Sequence, residues 1–148
     1  MKELINDILT KRSSVVEIGS GSGIISDLLA QNSFIVHCID WWDLWGRNKQ
    51  QTDDFTKVAD TYPNVFQIKG DYIAIADEFM NNNIDFVFIN NIELHKYKKV
   101  ITTWLPKIKK GGYIGGKCLM NPAVEYAVVD IFGIPEKVYD DDYWIVKI

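Results

Sequence analysis

Residues 14–23 read SVVEIGSGSG, and this stretch decides the fold. Its first half is apolar and β-branched, which predicts a buried strand. Its second half alternates glycine with serine, and glycine both adopts positive φ and lets a ligand approach the backbone closely. Apolar residues at 24, 25, 28 and 29 then predict a helix. A strand, a glycine turn and a helix favour a ligand site at the turn; the simpler alternative is a tight turn that binds nothing.

The rest of the chain repeats this alternation of strands and helices. Further strands are predicted at 34–39, 65–68, 84–89 and 112–116, and helices at 2–11, around 55–59, at 73–80, at 94–105 and around 124–131. Strands that alternate with helices imply an α/β fold, with a mostly parallel sheet between two helical layers. Such a sheet binds ligands at the carboxyl ends of its strands.

The end of the chain has a different pattern. Residues 137–139 and 143–148 are short apolar runs, and three aspartates separate them. This spacing predicts a hairpin, which adds antiparallel pairing to the parallel sheet. No proline- or serine-rich linker divides the 148 residues, so we expect a single domain over residues 1–148.

Composition narrows the class of function. The net charge of −4 argues against a general nucleic-acid binder. The lysines between 96 and 110 are explained by a solvated helix face, or else form a docking patch. Cys38 and Cys118 are far apart and suit a reducing compartment. The N-terminal residues lack the apolar core of a signal peptide, and no run is long enough to span a bilayer. We therefore expect a cytoplasmic protein without a membrane partner.

The glycine turn does not fit the dinucleotide-binding fingerprint. That fingerprint requires a small third residue, but counting from Gly19 the place falls on Ile24. Counting from Gly21 it falls on Ser26 and leaves Gly19 and Gly23 without a role. The pattern is instead acid-x-Gly-x-Gly-x-Gly, which resembles the first motif of class I S-adenosylmethionine-dependent methyltransferases. The resemblance implies a three-layer, Rossmann-like methyltransferase sandwich with S-adenosylmethionine as cofactor. Its methionine part would be held by Glu17, Gly19, Ser20, Gly21 and Gly23.

Two further strand ends support the same interpretation. Asp40 closes the second predicted strand, and a carboxylate there can accept two hydrogen bonds from a ribose diol; a solvated strand end is the alternative. Asp71 follows a glycine after the third strand, where the resemblance implies that it accepts from the adenine amino group beside Tyr72. Three motifs at three expected strand ends together indicate a cofactor site of this kind more specifically than any one of them does alone.

A cluster of tryptophans follows Asp40. Trp41 and Trp42 could stack on adenine or on a cationic or aromatic substrate, and Trp41 is placed among the cofactor-binding residues. Core packing or a subunit interface is the alternative for both, and it is the preferred interpretation for Trp45.

Nearly the whole chain from Val15 resembles a bacterial branch of small-molecule methyltransferases, which includes macrocin O-methyltransferase and cephalosporin hydroxylase relatives. The shared features are the 40–43 stretch DWWD, the 104–116 stretch WLPKIKKGGYIGG and the closing 141–147 stretch. After the fourth strand this branch typically reads Asp-Gly-Asp-His-Ser-Tyr, whereas residues 90–95 read NNIELH. After the fifth strand the branch reads Gly-His-Asp-Tyr, and Lys117 and Cys118 stand here instead. The acids that would bind a metal are mostly absent, so no metal site is predicted.

Asn90, Glu93 and His95 are the candidate catalytic residues. Asn90 can hydrogen-bond the cofactor or a substrate, and Glu93 or His95 could remove a proton. An exposed helix start, where Glu93 favours the helix dipole, is the alternative for the latter two.

The sequence thus favours a metal-independent methyltransferase with an unknown acceptor. Two alternatives remain: a catalytically degenerate, cofactor-binding or structural subunit, and another enzyme that consumes S-adenosylmethionine. An open site without a capping insertion also suits a large substrate, a homo-oligomer or a larger assembly.

Overall fold

A computed structural model describes residues 1–42, 49–135, 137–140 and 142–148. The predicted loop residues Asp43 and Trp45, and Asp141 of the closing stretch, lie outside this part of the chain. The described strands are β1 (Ser14–Ile18), β2 (Ile35–Asp40), β3 (Val65–Lys69), β4 (Ile84–Ile89), β5 (Ile108–Gly116), β6 (Lys137–Tyr139) and β7 (Tyr143–Lys147). The described α-helices are α1 (Lys2–Ile8), α2 (Ile24–Ala30), α3 (Lys49–Thr61), α4 (Tyr97–Trp104) and α5 (Pro122–Phe132).

One seven-stranded sheet contains these strands in the order β3-β2-β1-β4-β5-β7-β6. The first five strands in this order pair in parallel. Ile18 is opposite Ile39 of β2 on one side and Ile89 of β4 on the other. Gly116 of β5 is opposite Ile89 in turn. The segments that follow β1, β2, β4 and β5 therefore leave the sheet at one edge, where the sequence predicts the ligand site.

The C-terminal hairpin is confirmed. β7 runs antiparallel to both β5 and β6, and Gly115 of β5 is opposite Ile145. The predicted fold class is therefore correct: a mostly parallel sheet with an antiparallel hairpin at one side.

Two apolar clusters cover the two faces of the sheet and make the three layers. One contains side chains of α4 and α5, including the fully buried Trp104. The other contains side chains of α1, α2 and α3, including Leu4 and Phe55. β-Strands that are buried on both faces read as continuous apolar runs, which is the pattern of residues 84–89.

Several predicted boundaries are wrong. The helix predicted at 73–80 is a single 3-10 turn, Ile75–Glu78, since Asp71 Oδ1 accepts from the N–H groups of Ile73 and Ala74 and the backbone is extended again at Phe79. The first helix ends at Ile8 because Leu9 is extended.

The helix predicted at 94–105 and the fifth strand also differ from their predicted bounds. A 3-10 turn, Leu94–Lys96, precedes α4, and another, Leu105–Lys107, follows it. The fifth strand begins at Ile108, before its glycines, because Ile108 pairs with Ile84 across a register shift. Within the described ranges, no helix is long and apolar enough to cross a bilayer.

Candidate active site

Gly19 is fixed by the sheet beneath it. Its N–H donates to the carbonyl of Ile39 at 2.8 Å, and its φ is +80°. A Cβ at this position would lie 2.2 Å from the carbonyl oxygen of Asn91. The backbone after β1 therefore passes so close to the backbone after β4 that only glycine fits.

Gly21 is held from two sides. Its N–H donates to Oδ2 of Asp40 at 2.7 Å, and its carbonyl accepts from Nε1 of Trp42 at 2.7 Å. Trp42 is buried and packs on Phe55, with ring centroids 4.6 Å apart. The stacking role considered for Trp42 is therefore corrected: this ring belongs to the core and supports the loop. A Cβ at Gly21 would meet no atom within 4 Å, so the loop faces open space.

Glu17 lies beneath the loop and is fully buried. Its carboxylate accepts a hydrogen bond from Ser26 Oγ and another from Asn90 Nδ2, the latter at 2.8 Å. Burial raises the pKa of Glu17 from its usual 4.5 to about 7, against the lowering effect of these donors. The acid of the glycine motif thus supports the site from below, and it does not line the open space above the loop.

A cavity of about 270 Å³ opens at the carboxyl edge of the sheet. The predicted residues Gly19, Ser20, Gly21 and Asn90 line it. Asn90 is buried, and its Oδ1 receives no hydrogen bond from the described residues. Because an unpaired buried acceptor is costly, this atom marks a place where a ligand can donate.

Sequence reasoning missed several lining residues, which come from four separate segments: Ser22, Gln51, Lys117 and Tyr143. Lys117 follows a strand end and could have been found by position alone. No local sequence pattern marked Gln51 or Tyr143 as a lining residue, because it is the tertiary fold that brings α3 and β7 to this edge.

The predicted ribose and adenine residues do not line the cavity. Asp40 uses Oδ2 for Gly21, and its Oδ1 accepts from the Trp42 N–H at 3.2 Å. Trp41 is half-buried and packs against the core. Asp71 is half-buried and holds the turn after β3. Gly23 has φ +86°, and a Cβ there would lie 3.0 Å from a methyl of Val58 on α3.

Tyr72 and Glu93 form a contact of their own outside the cavity. The Tyr72 ring is buried, and its hydroxyl donates to Oε2 of Glu93. Burial and the Glu93 carboxylate raise the pKa of Tyr72. Partial burial raises the pKa of Glu93, but hydrogen bonds from Tyr72 and Lys96 outweigh it and hold this pKa at about 2. A carboxylate with this pKa is a weak base. His95 is exposed and does not line the cavity either.

The described side chains at the carboxyl edge of the sheet do not form a metal site. Within the described ranges, no group of three or more His, Cys, Asp or Glu side chains is arranged to hold a metal ion. Asn90 stands where the resembling branch has an acid, and a neutral amide is a poor anchor for Mg²⁺.

The order of strands, the glycine turn after β1 and the polar strand ends define a class I methyltransferase fold. The chain belongs to the family described as Methyltransferase domain, which matches residues 16–116. No curated protein sequence matches it.

Solved structures with the same fold have little sequence identity to the chain. An rRNA methylase from Streptococcus thermophilus has a TM-score of 0.71 and 16% identity, with 99% of this chain and 91% of that chain covered. A candidate methyltransferase from Streptococcus mutans, in complex with SAH, has a TM-score of 0.73 and 14% identity, with 99% and 95% covered. Precorrin 8w decarboxylase from Methanobacterium thermoautotrophicum has a TM-score of 0.70 and 18% identity, with 99% and 83% covered.

The cofactor assigned by this family is S-adenosylmethionine, and the cavity fits part of it. Asn90 Oδ1 is a buried acceptor to which no described residue donates, and such an atom suits the ammonium of the methionine portion. The open side of Gly21 leaves room for close approach to the backbone. Asp40 lies one hydrogen bond from Gly21, at the next strand end.

Proposed function

We propose that this chain is an active methyltransferase that transfers the methyl group of S-adenosylmethionine to an acceptor bound in the cavity. The observation that carries the proposal is Asn90: a buried side chain beside the glycine loop whose Oδ1 has no donor in the part of the chain that the structure describes. A core asparagine with a purely structural role would have this oxygen satisfied.

Different residues of the site would bind different parts of the cofactor. The loop from Gly19 to Gly23 would hold the methionine part, with Asn90 taking the ammonium. Asp40 would take the ribose hydroxyls, because an ionised carboxylate makes strong hydrogen bonds with a diol. Asp71 would border the adenine with its Oδ2, since Oδ1 already accepts from the turn. Trp41 would lie along the same side. Glu17 would act through Asn90, whose amide it orients.

The chemistry needs little from the protein beyond alignment. The cofactor supplies an already activated methyl group, and holding a nucleophile in line can provide much of the rate acceleration. The cavity offers no carboxylate among its described lining residues, so the proposal is metal-independent transfer to a nucleophile that needs little help from a base. Glu93 is a poor candidate base because of its low pKa, and His95 would act only on an acceptor that extends beyond the cavity.

The test is calorimetric titration of the purified chain with S-adenosylmethionine and S-adenosylhomocysteine. We expect dissociation constants in the micromolar range, followed by methyl transfer in a screen of nitrogen and acidic hydroxyl acceptors. Absence of binding at millimolar ligand contradicts the proposal.

A second candidate function is a non-catalytic, cofactor-binding subunit. The absence of a carboxylate from the described cavity lining favours it. It predicts binding without turnover, and assembly with another chain that completes the open cavity. Methyl transfer that is abolished by Asn90→Leu would exclude it.

We also propose a cellular location for this chain and a branch of the methyltransferase family to which it is related. Cys38 and Cys118 are free, which supports a cytoplasmic location. The resemblance of the 104–116 stretch supports the branch of macrocin O-methyltransferase relatives.

A further inference from the structure

The cavity has an uneven charge. Of the described residues that line it, Lys117 carries a positive charge and none carries a negative one. Two described acids near the loop do not line the cavity and have hydrogen-bond partners: Glu17 bonds to Ser26 and Asn90, and Asp40 bonds to Gly21 and Trp42. A single cation in a concave site without a counter-charge attracts an anion.

The backbone of Lys117 is fixed on both sides. Its N–H donates to the carbonyl of Ile89 at 3.2 Å, and its carbonyl accepts from the Tyr97 hydroxyl at 3.0 Å. The next residue, Cys118, has φ +65°, which few side chains adopt and which turns the chain sharply after β5. The position of Lys117 at the cavity is therefore set by the fold.

The Lys117 side chain is half-buried and has no ion-pair partner among the described residues. Asp142 contributes charge at the neighbouring Cys118, but it neither pairs with Lys117 nor lines the cavity. Other lysines differ: Lys98, Lys109 and Lys137 each pair with an aspartate on the surface. A half-buried ammonium without a carboxylate partner is available to a ligand.

Neutral donors accompany this charge. Ser22, Gln51, Asn91 and Tyr143 line the same cavity and can donate to oxygen. This combination of one ammonium and several neutral donors is suited to a carboxylate or phosphate group.

We propose that Lys117 binds an acidic group, a carboxylate or a phosphate, inside the cavity. The inference rests on the proposed methyltransferase function, and the acidic group has two possible sources within it. One is the carboxylate of the cofactor's methionine portion, and the other is an acidic group on the methyl acceptor, which would define the acceptors as anionic molecules.

The first arm of the test compares two ligands. S-adenosylhomocysteine has the amino-acid carboxylate, and 5′-methylthioadenosine lacks it. Both are titrated by calorimetry into the unmodified chain, Lys117→Gln and Lys99→Gln; Lys99 is an exposed lysine on α4 outside the cavity. If the cofactor is the source, Lys117→Gln weakens S-adenosylhomocysteine about tenfold and leaves methylthioadenosine unchanged. Lys99→Gln changes neither.

The second arm uses inorganic phosphate and acetate, followed by NMR of the Lys117 ammonium and neighbouring amides. It is run with and without S-adenosylhomocysteine. If the acceptor is the source, the loaded chain binds an anion saturably, Lys117→Gln abolishes this binding, and S-adenosylhomocysteine affinity is unchanged.

The two failures are distinguishable. If the unmodified chain does not bind S-adenosylhomocysteine, the proposed function fails, and anion binding by the free chain still decides the role of Lys117. If neither S-adenosylhomocysteine nor anion binding depends on Lys117, the inference is overturned while the proposed function stands.

Discussion

Nδ2 of Asn90 donates a 2.8 Å hydrogen bond to Oε1 of Glu17, and so the end of β4 is tied to the end of β1 beneath the glycine loop. Because Glu17 accepts this bond, the amide is oriented with its nitrogen toward the carboxylate. The remaining acceptor, Oδ1, has no partner within the described ranges. The buried acid thereby prepares a polar atom for a ligand, and the stability of this arrangement depends on pH.

Glu17→Gln should reduce the pH dependence of stability. The pKa of Glu17 rises from 4.5 to about 7 on folding, so the folded state binds more protons between these values. The free energy of unfolding of the unmodified chain should therefore fall as the pH rises from 4.5 through 7, by about 3 kcal/mol in total. Glutamine cannot ionise and should remove this decrease.

Urea unfolding at pH 5, 6, 7 and 8 measures this effect. Glu3→Gln, at an exposed position on α1, is the matched control and should retain the decrease. If the free energy of unfolding changed with pH equally in Glu17→Gln and in the unmodified chain, the pKa assigned to Glu17 would be contradicted.

Asn90→Leu should destabilise the chain more at pH 8 than at pH 5. Leucine is similar in size but removes the donor to Glu17, so the carboxylate loses one of the bonds that favour ionisation. The pKa of Glu17 then rises further, and the cost grows where the unfolded chain is ionised. Affinity for S-adenosylhomocysteine should fall about tenfold with the loss of Oδ1.

The same unfolding and calorimetric measurements apply to this variant. Asn91→Ala is the control, because Asn91 lines the cavity but has no hydrogen bond to Glu17. Its pH dependence should match the unmodified chain, and a similar change in both variants would count against the Glu17–Asn90 coupling.

Gly19→Ala and Gly21→Ala should differ strongly, although both glycines have positive φ. A Cβ at Gly19 would lie 2.2 Å from a backbone oxygen that cannot move freely, so we expect a loss of about 3 kcal/mol or more. A Cβ at Gly21 meets nothing within 4 Å, so we expect the left-handed strain alone, about 1–2 kcal/mol. Thermal unfolding of both variants measures the difference, and similar melting temperatures would show that the loop is placed differently.

Asp40→Ala should weaken S-adenosylmethionine binding at least tenfold, since the loss of a charged acceptor removes its bond to Gly21 and the bonds proposed for it with the ribose. Asp40→Asn separates the two contributions, because its amide oxygen can still accept from Gly21. Calorimetry with S-adenosylmethionine reports the affinity. Unchanged affinity in both variants would remove the ribose assignment.

Local sequence patterns were sufficient for the fold. The β-branched run at 14–18 and the apolar run at 84–89 predicted strands correctly because strands that are buried on both faces consist mostly of apolar residues. The 73–80 pattern was misleading, since periodicity does not show that Asp71 will use its carboxylate to hold a tight turn.

The sequence also identified the strand ends where the cavity lies, because parallel strands place their carboxyl ends at one edge. It could not separate residues above the loop from those beneath it: Glu17 and Asn90 both lie near strand ends and both are buried, yet only Asn90 lines the cavity. Nor could it place Gln51 and Tyr143 beside Gly21, which depends on how α3 and β7 pack. The strands, and the edge at which they end, are determined by local propensity and burial. The exposure and the partners of each side chain are determined by contacts between residues distant in sequence, so only the tertiary structure decided them.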